Sequence, residues 1–106
     1  MKEGRKSNII EHNNALNIGT ELEQYIVKGV LGAGGFGITY LADDTNLDKK
    51  VVIKEFLPEE IAIRKDNITI LPKTSRDDDS FVYGIEKFQE EAKTLAKFNH
   101  PNIVRI

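Results

Sequence analysis

The chain has 106 residues, 40% of them apolar, which suffices for one small domain with a modest core and excludes two. Its net charge of −2 and isoelectric point near 5.7 supply no positive field for nucleic acid or an anionic membrane. With no cysteine there can be no disulfide, thiol catalysis or thiolate metal site, which fits a reducing compartment.

Residues 1–23 read as a polar, mobile extension with Asn13, Asn14 and Asn17 in its middle. The basic start is not followed by an apolar run, since Ile9 and Ile10 give way at once to Glu11 and His12. No signal peptide is expected, and no stretch of the chain is long and apolar enough to span a bilayer. Lys2, Arg5 and Lys6 are expected in solvent, and His12 has no companions for metal binding.

Tyr25 to Leu31 reads as the first strand, with Gly29 marking a bulge or a close approach. Gly32, Gly34 and Gly37 then form a G-x-G-x-x-G, glycine being needed where backbone turns tightly and approaches a phosphate with no Cβ in the way. An ordinary glycine-rich hairpin turn would read the same way. Residues Ile38, Thr39, Tyr40 and Leu41 follow, β-branched or aromatic in the main, and predict a strand. A dinucleotide-binding unit needs a helix there, and a Walker A loop needs Lys where Ile38 stands. Asp43 to Lys50 is a polar turn in which Asp43, Asp44 and Asp48 are expected to be solvated. Val51, Val52 and Ile53 form another strand that ends in Lys54, whose ammonium must emerge into a cleft or be buried with a partner. Glu55 is set aside as an accidental stand-in for the acidic residue of a dinucleotide site.

From Glu55 to Ser80, Ile61 and Ile63 alternate, Asp66-Asn67 form a turn, and Ile68 and Ile70 alternate again. This predicts an inserted β-hairpin, read as a brace for the helix after it. The triplet Asn67-Ile68-Thr69 is a glycosylation pattern without meaning where no secretory signal precedes it. Phe81, Ile85, Phe88, Ala92 and Leu95 recur at helical spacing and predict an amphipathic helix from Phe81 to Phe98, started by Asp77 to Ser80 and stopped by His100-Pro101. Glu91 lies on the flank of the apolar stripe and Glu90 nearly opposite it. An inward Glu91 would find its cation in Lys54. Two alternatives stay open: Glu91 bonding Lys87, or Glu90 as the partner of Lys54.

LGAGGFGITYLA, VVIK and FQEEAKTLAKFNHPNIVRI, from about residue 20 to 106, resemble the N-terminal lobe of a protein kinase, most closely the eukaryotic-type Ser/Thr kinases of bacteria. The resemblance implies an α+β fold: a twisted antiparallel β-sheet with one αC-type helix and an inserted hairpin, the C-lobe being absent. It divides the chain into the extension, 1–23, and a partial kinase domain, 24–106, cut in the fourth strand with an unpaired apolar edge. It implies that the amides around Ala33, Gly34, Gly35, Phe36 and Gly37 point at the phosphates of ATP, that Leu31 and Thr39 bracket the adenine with Val52, and that Lys54 and Glu91 pair. Thr39 replaces the usual valine and Val52 the usual alanine. Ala62-Ile63-Arg64 and Ile70-Leu71-Pro72 resemble an insertion found in such bacterial kinases. Nothing resembles H-R-D-x-x-x-x-N, D-F-G or A-P-E, so the base, the Mg²⁺ ligands and the platform for a protein substrate are expected in the missing C-lobe. The implied function is ATP-dependent, cytoplasmic phosphorylation of protein Ser/Thr hydroxyls. Two alternatives come from other classes. A non-catalytic binding module or pseudokinase remnant would transfer nothing, and a dinucleotide-dependent oxidoreductase would have a helix directly after Gly37.

Overall fold

The structure is a computed structural model and describes residues 12–92, 96–97 and 100–106. Eight strands and one helix follow in the order β1 (Glu21–Leu22), β2 (Tyr25–Ala33), β3 (Gly37–Asp44), β4 (Lys49–Phe56), β5 (Ala62–Arg64), β6 (Ile70–Pro72), α1 (Asp78–Glu91), β7 (Ala96–Lys97) and β8 (Ile103–Arg105), with a 3-10 turn at Ser75–Asp77 before the helix. The six strands of the main sheet run antiparallel in the order β1-β2-β3-β4-β8-β7, and β5 and β6 form a separate hairpin. This is the expected α+β fold of a kinase N-lobe. The strand at Gly37–Asp44 removes the oxidoreductase reading, because a dinucleotide site requires a helix at that point.

Side-chain alternation decides the two faces of the sheet. Ile38, Tyr40 and Ala42 of β3 stand opposite Glu55, Ile53 and Val51 of β4, and all are buried. Together with Leu57 they form the core with Ala62 and Ile70 of the hairpin and with Leu16 and Leu22 from before β2. The other face carries Thr39, Lys54 and Phe56. Helix α1 meets this face through Phe56, whose ring lies 6.3 Å from Phe81 and 5.7 Å from Phe88. In β2 the register shifts between Val27 and Gly29, where Gly29 marked a bulge, and again between Val30 and Gly32.

Three expectations are corrected. The helix ends at Glu91 with Ala92 as its C-cap, and Ala96–Lys97 is a strand instead, paired with Arg105 and Val104. Satisfying the outer backbone edge of β8 outweighs helix propensity there. His100-Pro101 therefore lies in the turn before β8 and does not stop the helix. The same pairing covers the sheet edge that was expected to be unpaired. Finally, residues 12–22 of the expected mobile extension are packed: Leu16 is 3% exposed, Leu22 2% and Thr20 7%, and Glu21–Leu22 pairs with β2. Polar composition concealed two apolar anchors. Lys2, Arg5, Lys6, Leu95 and Phe98 lie outside the described residues.

The predicted hairpin is present, with the Asp66 Oδ1 accepting from the N–H groups of Ile68 and Thr69 to hold its turn. Those two bonds hold the Asp66 carboxyl below the usual carboxylate range. Its facing differs from a simple isoleucine alternation. Ala62 and Ile70 point into the core, while Ile63 is exposed. The orientation follows from Arg64, which shares the face of Ala62 and reaches inward.

Candidate functional site

Between the β2–β3 loop and helix α1 lies a cleft of about 810 Å³. Gly32 through Gly37, Thr39, Lys54 and Glu91 all line it, so the structure brings most of the predicted site residues together. Leu31 and Val52 do not line it and are half-buried in their strands. Phe36, at the loop tip, is 78% exposed.

The glycines divide into two kinds. A Cβ at Gly32, Gly34 or Gly35 would meet nothing within 4 Å, and none of the three has a positive φ. Neither packing among the described residues nor backbone conformation therefore requires glycine there. At Gly37 a Cβ would collide with the carbonyl oxygen of Glu55, so this glycine lets β3 close on β4. The Gly34 N–H donates to the Gly37 carbonyl at 2.9 Å, closing the tip. The carbonyls of Phe36 and Gly35 accept from the N–H groups of Leu57 at 2.8 Å and Glu59 at 3.1 Å. The tip is thus tied to the chain that leaves β4, and its own Gly35 and Phe36 amides have no acceptor among the described residues.

Lys54 stands opposite Thr39 on the cleft side of the sheet and is exposed. Among the described residues it makes no ion pair, and the pairing with Glu91 expected from the helix is not formed. The early end of the helix accounts for this: Glu91 is its last residue and is exposed. Of the two alternatives, Lys87 bonds Glu90 at 3.4 Å rather than Glu91, and Glu90 does not reach Lys54. The Lys87 ammonium also lies 5.7 Å from the Tyr83 ring centroid, which leaves Lys54, among the described residues lining the cleft, as the cation with no ion pair. Gly84, within the helix, lies against Phe56, where a Cβ would stand 2.5 Å from its Cζ. Nothing in the helical periodicity pointed to this contact. A glycine inside a helical pattern was the available signal.

Behind Lys54, on the opposite face of β4, the carboxylate of Glu55 is fully buried. Tyr40 Oη donates to its Oε1 at 2.6 Å, and Arg64 Nη2 and Nη1 donate to Oε1 and Oε2 at 2.7 Å each. Asn102 Nδ2 donates to Oε2 at 3.5 Å. Burial alone would lower the pKa of the Arg64 guanidinium, but the Glu55 carboxylate more than offsets this and raises it. Burial first, then the Glu55 charge, pushes the Tyr40 hydroxyl above its ordinary value. Sequence reasoning set Glu55 aside. Its parity with Val51, Ile53 and Leu57 on one strand face would have marked it as buried and in need of a cation.

Asp44 is also buried, its Oδ1 accepting from the Asn46 and Leu47 amides, while Asp43 bonds Lys50 and Lys28. Turn chemistry was expected of these carboxylates, but Asp44 is not solvated as expected: its bonds to two turn amides replace the water it has lost. Among the described residues no cluster of three or more His, Asp or Glu is placed to hold a metal ion, and no helix is long and apolar enough to cross a membrane.

No family model matches the chain. Over 83 residues, 78% of its length, it is 34% identical to the serine/threonine-protein kinase PrkC of Bacillus subtilis (strain 168) and 31% identical to the serine/threonine-protein kinase pkn3 of Myxococcus xanthus. It spans 10% and 12% of the lengths of these two curated relatives. Among solved structures, that described as PpkA-294 apo form matches with a TM-score of 0.77 at 30% identity, over 88% of this chain and 38% of that one.

Proposed function

Because the chain carries the N-terminal lobe of a bacterial serine/threonine-protein kinase, we propose that its cleft holds the phosphates of ATP for transfer to a protein Ser/Thr hydroxyl. The observation that supports this most is the set of glycines at Gly32, Gly34 and Gly35, whose missing Cβ atoms leave open space that nothing among the described residues occupies. Backbone at such positions can come within hydrogen-bond distance of a phosphate. The unpaired amides of Gly35 and Phe36 donate to phosphate oxygens, and the Lys54 ammonium supplies a charge without a competing carboxylate. Thr39 borders the base beside Leu31 and Val52, which extend the surface toward the strand edge.

When bound, ATP would supply the γ-phosphoryl group, whose charge a Mg²⁺ ion would neutralise. The residues present fit the phosphates but not the metal, whose ligands in a kinase belong to segments with no counterpart in these 106 residues. The base and the platform for a protein substrate belong to those segments too. Within the lobe the work is binding and orientation: amides and Lys54 hold the phosphates, and Phe56 and Phe88 wall the cleft against water. The absence of cysteine accords with a cytoplasmic setting.

One observation favours a second reading, a lobe that binds nucleotide without transferring phosphate: Lys54 and Glu91 line one cleft and do not pair with each other. One titration with MgATP, followed by the backbone amides of Gly34 to Gly37, tests both. Lys54→Met should weaken binding about 10- to 100-fold, a charge-assisted hydrogen bond being worth about 1.5–3 kcal/mol, with the circular dichroism spectrum unchanged. Absence of saturable binding by the unaltered chain, or equal binding by Lys54→Met, overturns the proposal. Glu91→Gln weakens binding only if Glu91 joins Lys54 when nucleotide enters; an unchanged affinity supports the second reading.

A further inference from the structure

Lys54 and Glu55 are neighbours on β4 with side chains on opposite faces of the sheet, Lys54 in the cleft and Glu55 fully buried behind it. In a pleated strand the direction of one side chain dictates that of the next. Whatever fixes Glu55 therefore also fixes the line along which Lys54 leaves the sheet. Four separate parts of the fold converge on the Glu55 carboxylate or on its partner. Tyr40 reaches it from β3, Asn102 from the turn before β8, and Arg64 from the hairpin. The fourth is the N-terminal segment: Asn14 O accepts from Arg64 Nε at 3.1 Å and Nη2 at 2.8 Å, and the Leu16 N–H donates to Tyr40 Oη at 3.0 Å. Arg64 Nη1 also donates to Ile68 O, across the hairpin turn.

The same hairpin governs the loop. Its leading chain, Leu57 to Glu59, bonds the carbonyls of Phe36 and Gly35, and Arg64 ties the far end of that chain back to Glu55. Loop tip, Lys54 and hairpin are thus closed into one hydrogen-bonded ring with Glu55 and Arg64 at its back.

We propose that Arg64, through Glu55, is a positioning residue for the phosphate-binding site, so that the inserted hairpin and residues 12–16 set the placement of Lys54 and the glycine loop. This rests on the cleft being an ATP phosphate site. On this reading the hairpin acts on the phosphate-binding site from the sheet face opposite the helix, a different role from the brace for the helix expected from sequence. A guanidinium is required because one planar fork meets both carboxylate oxygens while its remaining N–H groups reach Asn14 O and Ile68 O, which an ammonium cannot do.

The test compares three variants of the chain by MgATP titration, read at the amides of Gly34 to Gly37 and Lys54, with a thermal melt of each. Arg64→Lys should lose affinity about tenfold, misplacement of a binding group by about 1 Å being enough, and should shift the Lys54 and loop amide resonances before any nucleotide is added. Tyr40→Phe removes one hydroxyl from the same carboxylate, keeps the volume, and should lose affinity by a smaller factor with the same resonances displaced. It stands in if Arg64→Lys does not fold. Val51→Ala weakens the core at the start of β4, outside the hairpin and the Glu55 contacts, and should melt lower with affinity unchanged. If affinity instead falls with melting temperature across all three, the role is merely structural and the proposal is overturned. Unchanged affinity in both Arg64→Lys and Tyr40→Phe also overturns it, while leaving ATP binding intact. Failure of the unaltered chain to bind ATP removes the functional reading and this inference together.

Discussion

A carboxylate with no solvent exposure is tolerable only when cations and donors replace the water it has lost, and Glu55 obtains both from Arg64, Tyr40 and Asn102. The coupling has a pH signature at Tyr40. Burial, then the Glu55 charge and hydrogen bond, raise its hydroxyl above the ordinary 10.0 in the folded state. A raised folded value means that the unfolded state releases this proton first. The stabilisation is therefore complete below about pH 10 and is lost as pH climbs toward the folded value. Melting temperatures taken between about pH 9 and pH 11 should fall more steeply for the unaltered chain than for Tyr40→Phe. Parallel slopes would show that the Tyr40 hydroxyl does not feel Glu55. Lys54, one residue away, was legible as a cleft cation because it ends an apolar run. The burial of Glu55 was legible from its strand parity, but the identity of its cation was not, because Arg64 stands nine residues along the chain.

At the scale of elements, β2, β3, β4 and the β5–β6 hairpin were readable, since alternation and turn residues are local properties. The two kinds of glycine in one loop were not separable by motif. Gly37→Ala should cost about 1–3 kcal/mol of stability, the overpacking range, because the Glu55 carbonyl it would strike is backbone in a ladder and cannot move aside. Gly35→Ala meets nothing within 4 Å and should leave stability within about 0.5 kcal/mol. Urea denaturation of both variants checks the contrast, and equal losses would contradict the distinction. The helix was predicted in place but too long. Its apolar spacing continues past Glu91, and spacing cannot report that Ala96 and Lys97 are taken by the edge of β8. The missing pair of Lys54 and Glu91 follows from that shortened end.

Over the whole lobe, the two sheet faces have separate duties. One is sealed by the hairpin and residues 12–22 around Glu55, and the other opens on the cleft beneath the glycine loop. A ligand that binds only the folded lobe must stabilise it. MgATP at about 100 times its dissociation constant should add about 2.7 kcal/mol, raising the melting temperature by about 10 °C or more for a domain of this size. No shift under those conditions would speak against the phosphate site. By itself the sequence determined the strand order around the glycine loop, the lysine that follows it, the hairpin and the family resemblance. Each of these depends on residues within a turn or two of one another. Only the tertiary structure decided that Glu55 faces Arg64, that Leu16 and Leu22 draw an apparently free segment onto the sheet, and that Lys54 and Glu91 share a cleft without pairing with each other. Contacts between residues far apart in sequence are chosen by the packing of whole elements, and local pattern carries no record of which distant group will complete them.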